Sequence, residues 1–192
     1  MHFLPDKNYL KVLTPILVAI IFVFLPLYYL PDSWDGIINQ FAFDIQNLEG
    51  LIPTYLQSGW YIEYLIIHLI YNLSLISHIS ANNLGDFFVL LVILGISFET
   101  FKLGKCYFNL ENEWALVAAL LVIVFPAWSA SISSILYVYI FCVWLVLLGY
   151  RLFLSKNLLI KFIGILIIIS SFQLNSNFSF IIGLALIDLI IL

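Results

Sequence analysis

Basic side chains are the scarcest chemistry in this chain. There are seven in 192 residues, confined to Lys7 and Lys11, to Lys102 and Lys105, and to Arg151, Lys156 and Lys161; Val12 to Phe101 holds none. Nucleic acid is not expected as a partner. Cysteine is nearly as rare. Cys106 and Cys142 are expected at the cytoplasmic end of one helix and inside another, which argues against a disulfide; neither spacing suggests a metal site, and both read as packing residues. There is no P-loop, no nucleophile elbow, no Cys/His metal spacing, no internal repeat and no low-complexity linker. Charged residues are only 9% of the chain, against 64% hydrophobic ones, and the mean hydropathy is +1.13. A soluble domain of this length could not bury so much apolar side chain. The expected fold class is all-α: a polytopic transmembrane helical bundle, residues 1–192 forming one domain, with two interfacial helices in the first external loop.

The few charges orient that bundle. Lys and Arg beside spanning helices mark the cytoplasmic face. The first span, Val12–Leu30, is long enough to cross about 30 Å of hydrocarbon, has no cleavage site after it and should be retained as a signal anchor from a cytoplasmic N-terminus. The next apolar runs are Trp60–Ile79 and Phe87–Phe101, and both cannot cross if Lys102 and Lys105 are to be cytoplasmic. Trp60–Ile79 carries Glu63, His68, Asn72, Ser74 and Ser77, and a charged group costs about 2.5–3.5 kcal/mol in a span. It is therefore expected to be interfacial or re-entrant, within an external segment 31–80, and Leu84–Phe101 to be the second span. Further spans are expected at Trp114–Trp128, Ala130–Tyr150, Leu158–Leu174 and Phe178–Leu192. The last is short, roughly 22 Å at 1.5 Å per residue, so the chain is expected to be the N-terminal part of a longer protein or one half of a split one.

The net charge of −4 says little about partners because six carboxylates, Asp32, Asp35, Asp44, Glu49, Glu63 and Asp86, fall together between Lys11 and Phe87. Chemistry is sought there. Ile37, Phe41, Ile45 and Leu48 recur at helical spacing, with Asn39, Gln40, Asp44 and Asn47 on other faces, as in an amphipathic helix on the outer membrane surface. Asp35 lies between this helix and the first span in Pro31-Asp32-Ser33-Trp34-Asp35-Gly36. A half-desolvated carboxylate there is a competent general base towards a hydroxyl at the membrane surface; the alternative is that Asp32 or Asp35 caps the surface helix. Asp44 and Glu49 are candidate metal or sugar ligands, or the wet face of the same helix. Tyr64, His68, Tyr71 and Asn72 share a face beside Glu63, a polar and aromatic stripe suited to sugar contacts, although a lone histidine is more often a hydrogen-bonded interfacial residue. Asp188 is an intramembrane carboxylate in search of a partner.

The order of these parts resembles the N-terminal half of the polytopic GT-C-fold glycosyltransferases, relatives of protein O-mannosyltransferases, lipid A aminoarabinose transferases and membrane proteins of O-antigen and capsule clusters. In that family a first span and an external acid precede two surface helices and a second span closing on basic residues. The corresponding parts here are Val12–Leu30, Asp35, Ile37–Leu48 with Trp60–Ile79, and Leu84–Lys105, with Ser58-Gly59-Trp60-Tyr61-Ile62-Glu63-Tyr64 where members often start their second surface helix. The likeness covers most of the chain, but as layout; its one short motif is Asp35.

That resemblance implies an inverting transfer from a polyprenyl-phosphate-linked sugar to a lipid or glycan acceptor on the periplasmic face, among membrane lipids. Asp35 would deprotonate the acceptor hydroxyl, with Asp32, Glu63, Tyr64, His68 and Asn72 binding substrate. Three departures stand out: Gly36 replaces a second acid, Pro126–Ser131 lacks the acid often found there, and no external cation faces the leaving phosphate. Its charge would have to be offset by residues after Leu192 or by Mg²⁺ or Mn²⁺ on the external carboxylates. The alternatives are a lipid-linked sugar transporter or flippase, which needs polar residues at mid-depth, and a non-catalytic membrane partner subunit.

Overall fold

The computed structural model describes residues 14–22, 61–124 and 137–171. Among them the architecture is all-helical. Residues 14–22 (α1) are followed by α2 (Tyr61–Ser77), α3 (Ala81–Cys106), α4 (Asn112–Ile123), α5 (Tyr137–Phe153) and α6 (Leu158–Ser171). Residues Asn83–Cys106 of α3 make a helix long and apolar enough to cross a membrane, and α2, α4, α5 and α6 contain shorter apolar helices. At 1.5 Å per residue, the 26 residues of α3 span about 39 Å.

The pattern of α3 makes it the central element. Val89, Val92, Ile93 and Ile96 are all buried, a spacing of three and four that faces one side inward. Among its described side chains, those exposed before Cys106 form one narrow stripe, Asn83, Phe87 and Leu91. Ile16 and Ile20 of α1 and Ile66, Ile67 and Ile70 of α2 join the same core.

Small residues decide how the neighbours approach. Against α4, Gly104 lies beside Ala115, where an added Cβ would stand 3.3 Å from the alanine methyl, and fully buried Ser97 donates its hydroxyl to the Ala119 carbonyl at 2.9 Å. Gly104 with Ala115 and Ser97 with Ala119 run in opposite senses, so α3 and α4 are antiparallel. Against α5 the pairs ascend together: Phe88 with Phe141, Gly95 beneath the Trp144 indole, Glu99 with Arg151. Those two helices are parallel. On α5 and α6, a Cβ at Gly164 would lie 2.6 Å from the Gly149 carbonyl oxygen and one at Gly149 would lie 2.8 Å from that of Gly164. The backbones touch, as small residues allow at tight helix crossings. Phe153 lies against Gly164, and Gly149 also against Ile168, which makes this second hairpin antiparallel too.

The connections are set by local hydrogen bonding. Ser80 caps α3 by accepting from the Asn83 N–H at 3.2 Å, earlier than the expected start at Leu84. The preceding turn is held by serines: Ser77 donates to the Leu73 carbonyl and accepts from the Ile79 N–H, while Ser74 donates to the Ile79 carbonyl. At the other end α3 runs beyond Phe101 to Cys106. There Asn109, in the left-handed region with φ of 52°, turns the chain so that the Leu110 N–H reaches the Gly104 carbonyl at 2.9 Å. Asparagine is among the few residues that tolerate this conformation. Asn157 caps α6 by accepting from the Leu159 N–H at 2.9 Å. The described part of α5 begins at Tyr137 and runs past Tyr150 to Phe153; residues 178–192, including Asp188, lie outside the described residues.

The direction of the helices gathers charge. The ends of α3 and α5 and the starts of α4 and α6 share one end of the bundle. Every Lys and Arg among the described residues is there: Lys102, Lys105, Arg151, Lys156 and Lys161. The α2–α3 turn lies at the opposite end.

Candidate functional site

One carboxylate has been drawn inside this packing. Glu99, 4% exposed, sits on α3 seven residues before its end. Arg151, the chain's only arginine, reaches it from the last turn of α5: Nε donates to Oε2 and Nη2 donates to Oε1, the latter at 3.1 Å. Two parallel donors on one carboxylate match the planar fork of a guanidinium, which the single point charge of a lysine does not. The arginine side chain stays 33% exposed and the glutamate side chain 6%, so the pair sits at the edge of the bundle with its cation outermost. A charge this deeply packed is tolerable only with such a partner.

Ser97 and Glu99 together tie the lower half of α3 to both neighbours, the hydroxyl to α4 and the carboxylate to α5. Aromatic contacts continue the seam: Tyr107 meets Tyr150 edge-on with centroids 6.0 Å apart, and the Lys102 ammonium stands 5.3 Å from the Phe98 ring centre. With both oxygens engaged, Glu99 is no free base. Its chemistry is to fix the ends of two parallel helices while neutralising one of the five cations there.

The stripe expected on α2 is only partly assembled for a ligand. Tyr64 and His68 stack at 5.6 Å with their rings 20° apart, one helical turn bringing them together. His68 is exposed, whereas Tyr64 and Tyr71 are half-buried against the core. Asn72 donates its amide to the His68 carbonyl at 2.9 Å; that donor is turned onto its own helix, which leaves His68, stacked on Tyr64, as the outward part. The Glu63 side chain lies outside the described residues, as do Asp32, Asp35, Asp44 and Glu49. Among the described residues no three His, Cys, Asp or Glu side chains come together to hold a metal.

No protein-family model, curated protein or solved structure matches this chain. Its function has to be argued from residues and their placement.

The Glu99–Arg151 pair was not anticipated from the sequence. The signal available was modest: a lone carboxylate in the apolar run Phe87–Phe101, which the rule applied to Asp188 would equally have flagged, and a single arginine among lysines. What joins them across 52 positions is the parallel packing of α3 and α5.

Proposed function

We propose that this chain is a polytopic inner-membrane protein, the membrane part of a GT-C-type glycosyltransferase that uses a polyprenyl-phosphate-linked sugar at the periplasmic face in surface-polysaccharide assembly. The observation that supports its orientation is the gathering of Lys102, Lys105, Arg151, Lys156 and Lys161 at one end of the bundle, while the α2–α3 turn lies at the other. Cations kept to one end are the pattern of a cytoplasmic face. The outward side chains support burial in lipid: Leu65, Leu69 and Ile76 on α2, Leu121 on α4 and Phe162, Leu166 and Ile169 on α6 are all exposed, with no water-soluble purpose on such helices.

In this reading Asp35 stands outside, on the face where lipid-linked donor and hydroxyl acceptor meet. It takes the acceptor proton as the oxygen attacks the anomeric carbon, and the lipid phosphate departs with inversion. The Tyr64–His68 stack offers an apolar ring face and polar edges to a sugar. Charge on the leaving phosphate would be offset by Mg²⁺ or Mn²⁺, for which Asp44 and Glu49 are the candidate ligands. The transporter alternative fares less well, because the ion pair seen is closed, bidentate and near one end, unlike an open polar path at the midplane.

The test is transfer by purified full-length protein from a polyprenyl-phosphate sugar to an acceptor lipid. Asp35→Asn should lower turnover by about 10²–10⁴-fold, the contribution of a general base, with membrane insertion unchanged. Undiminished turnover removes Asp35 from the mechanism, and no transfer by the parent protein favours a non-catalytic partner.

A further inference from the structure

The turn between α5 and α6 has an imbalance of charge that packing does not resolve. No Asp or Glu occurs between Glu113 and Asp188, so the α5–α6 hairpin carries Arg151, Lys156 and Lys161 without a carboxylate of its own. Arg151 takes Glu99 from α3. Lys156 is exposed, and Lys161 is half-buried with its ammonium 5.8 Å from the centre of the Phe153 ring; among the described residues neither meets an acid. The lysines therefore present two positive charges that no carboxylate among the described residues contacts: Glu99 is taken by Arg151, and Glu111 and Glu113 stand at the start of α4.

What lies beside them narrows the partner. Leu158 is 81% exposed, Leu159 67% and Phe162 57%, and these residues share the first turns of α6 with Lys161. Leu158 is the most exposed large apolar side chain described. Cations directly bordering bare apolar side chains are poorly matched to a free phosphate, which offers nothing to the leucines, and to a soluble acidic peptide, which would leave Leu158 wet. A molecule with an anionic head and an acyl chain satisfies both halves at once.

We propose that the α5–α6 turn is a binding surface for anionic phospholipid, with Lys156 and Lys161 on the headgroup phosphate and Leu158, Leu159 and Phe162 along the acyl chains. This rests on the membrane reading above and adds a lipid preference and its location. Glu99 contributes indirectly, since by pairing with Arg151 it leaves the headgroup to the lysines. Each lysine near a charged membrane surface contributes a preference of about fivefold, the equivalent of ~1 kcal/mol, so two give up to roughly thirtyfold.

Full-length protein would be reconstituted in phosphatidylcholine nanodiscs containing a trace of spin-labelled phosphatidylglycerol or spin-labelled phosphatidylcholine, and the immobilised fraction of each label measured. The expected result is that phosphatidylglycerol associates about fivefold or more over phosphatidylcholine. The ratio should fall towards one in the double variant Lys156→Gln/Lys161→Gln and, in the parent, as salt rises. Lys156 is exposed and Lys161 half-buried, and glutamine keeps most of each aliphatic stem, so the variant should keep the parent's helical circular dichroism. Equal association of the two labels with the parent, or an unchanged ratio in the variant, overturns the proposal. Both outcomes leave the membrane reading intact. Protein that stays in the aqueous fraction without detergent sinks the membrane reading, and this proposal with it.

Discussion

Removing one partner of Glu99–Arg151 should destabilise the bundle unequally according to which partner goes. In Arg151→Met the carboxylate is left inside packing where its side chain is only 6% exposed. The loss of a partner from a buried pair costs about 3–5 kcal/mol. In Glu99→Gln the orphan is the guanidinium, already 33% exposed and able to turn towards water, so solvent screening reduces the cost to about 1–2 kcal/mol. For a chain of this length 1 kcal/mol shifts a melting midpoint by roughly 2–4 °C. Arg151→Met should therefore lower it by about 6–20 °C and Glu99→Gln by about 2–8 °C. Replacing both, as Glu99→Leu/Arg151→Met, removes the uncompensated charge and should recover much of the larger loss. The assay is thermal unfolding of the full chain in detergent, followed by tryptophan fluorescence, because Trp144 lies on Gly95 in the same α3–α5 seam. The reasoning fails if Glu99→Gln is the worse single change, or if the double variant is no more stable than Arg151→Met.

Two further outcomes test the helix connections. Gly164→Ala puts a methyl 2.6 Å from the Gly149 carbonyl oxygen and 2.7 Å from the Phe153 nitrogen, backbone atoms that cannot step aside, so the α5–α6 hairpin must separate; a loss of about 1–3 kcal/mol is expected in the same unfolding assay. Asn109→Gly should be neutral or slightly stabilising, whereas Asn109→Ala should cost about 1 kcal/mol, since φ of 52° suits glycine and penalises a Cβ; equal stability of the two variants would show that the left-handed turn is not maintained.

Much of the helical order is legible in the sequence, because long apolar runs between polar turns leave little choice. The start of α6 follows from Asn157, and the i, i+4 spacing of Tyr64, His68 and Asn72 does bring those groups together along α2. The ends of α3 are less legible. Ser80 is a capping residue among several polar neighbours, and Lys102 and Lys105 suggest an ending at Phe101 although lysine stems let a helix continue into the interface. The pairings that define the tertiary structure, Glu99 with Arg151 and Gly149 with Gly164, leave no periodic trace; each depends on which helices run parallel and how closely their backbones come. Of the residues expected to do chemistry, Tyr64, His68 and Asn72 have described positions, and there the geometry adds what spacing cannot, that the Asn72 amide is already used by its own helix. Asp35 lies outside the described residues, so its role rests on order along the chain.

The central claim is an orientation: the lysine-bearing end in the cytoplasm and the α2–α3 turn outside. Two sites report it directly. Cys106 is exposed at the basic end, Cys142 is buried, and Ser77 is exposed at the α2–α3 turn. In intact cells a membrane-impermeant maleimide should label Ser77→Cys, in a Cys106→Ser background, and should leave native Cys106 untouched until the membrane is opened. Labelling of Cys106 from outside, or protection of Ser77→Cys until lysis, would contradict the orientation and remove the external acidic segment from the periplasmic face.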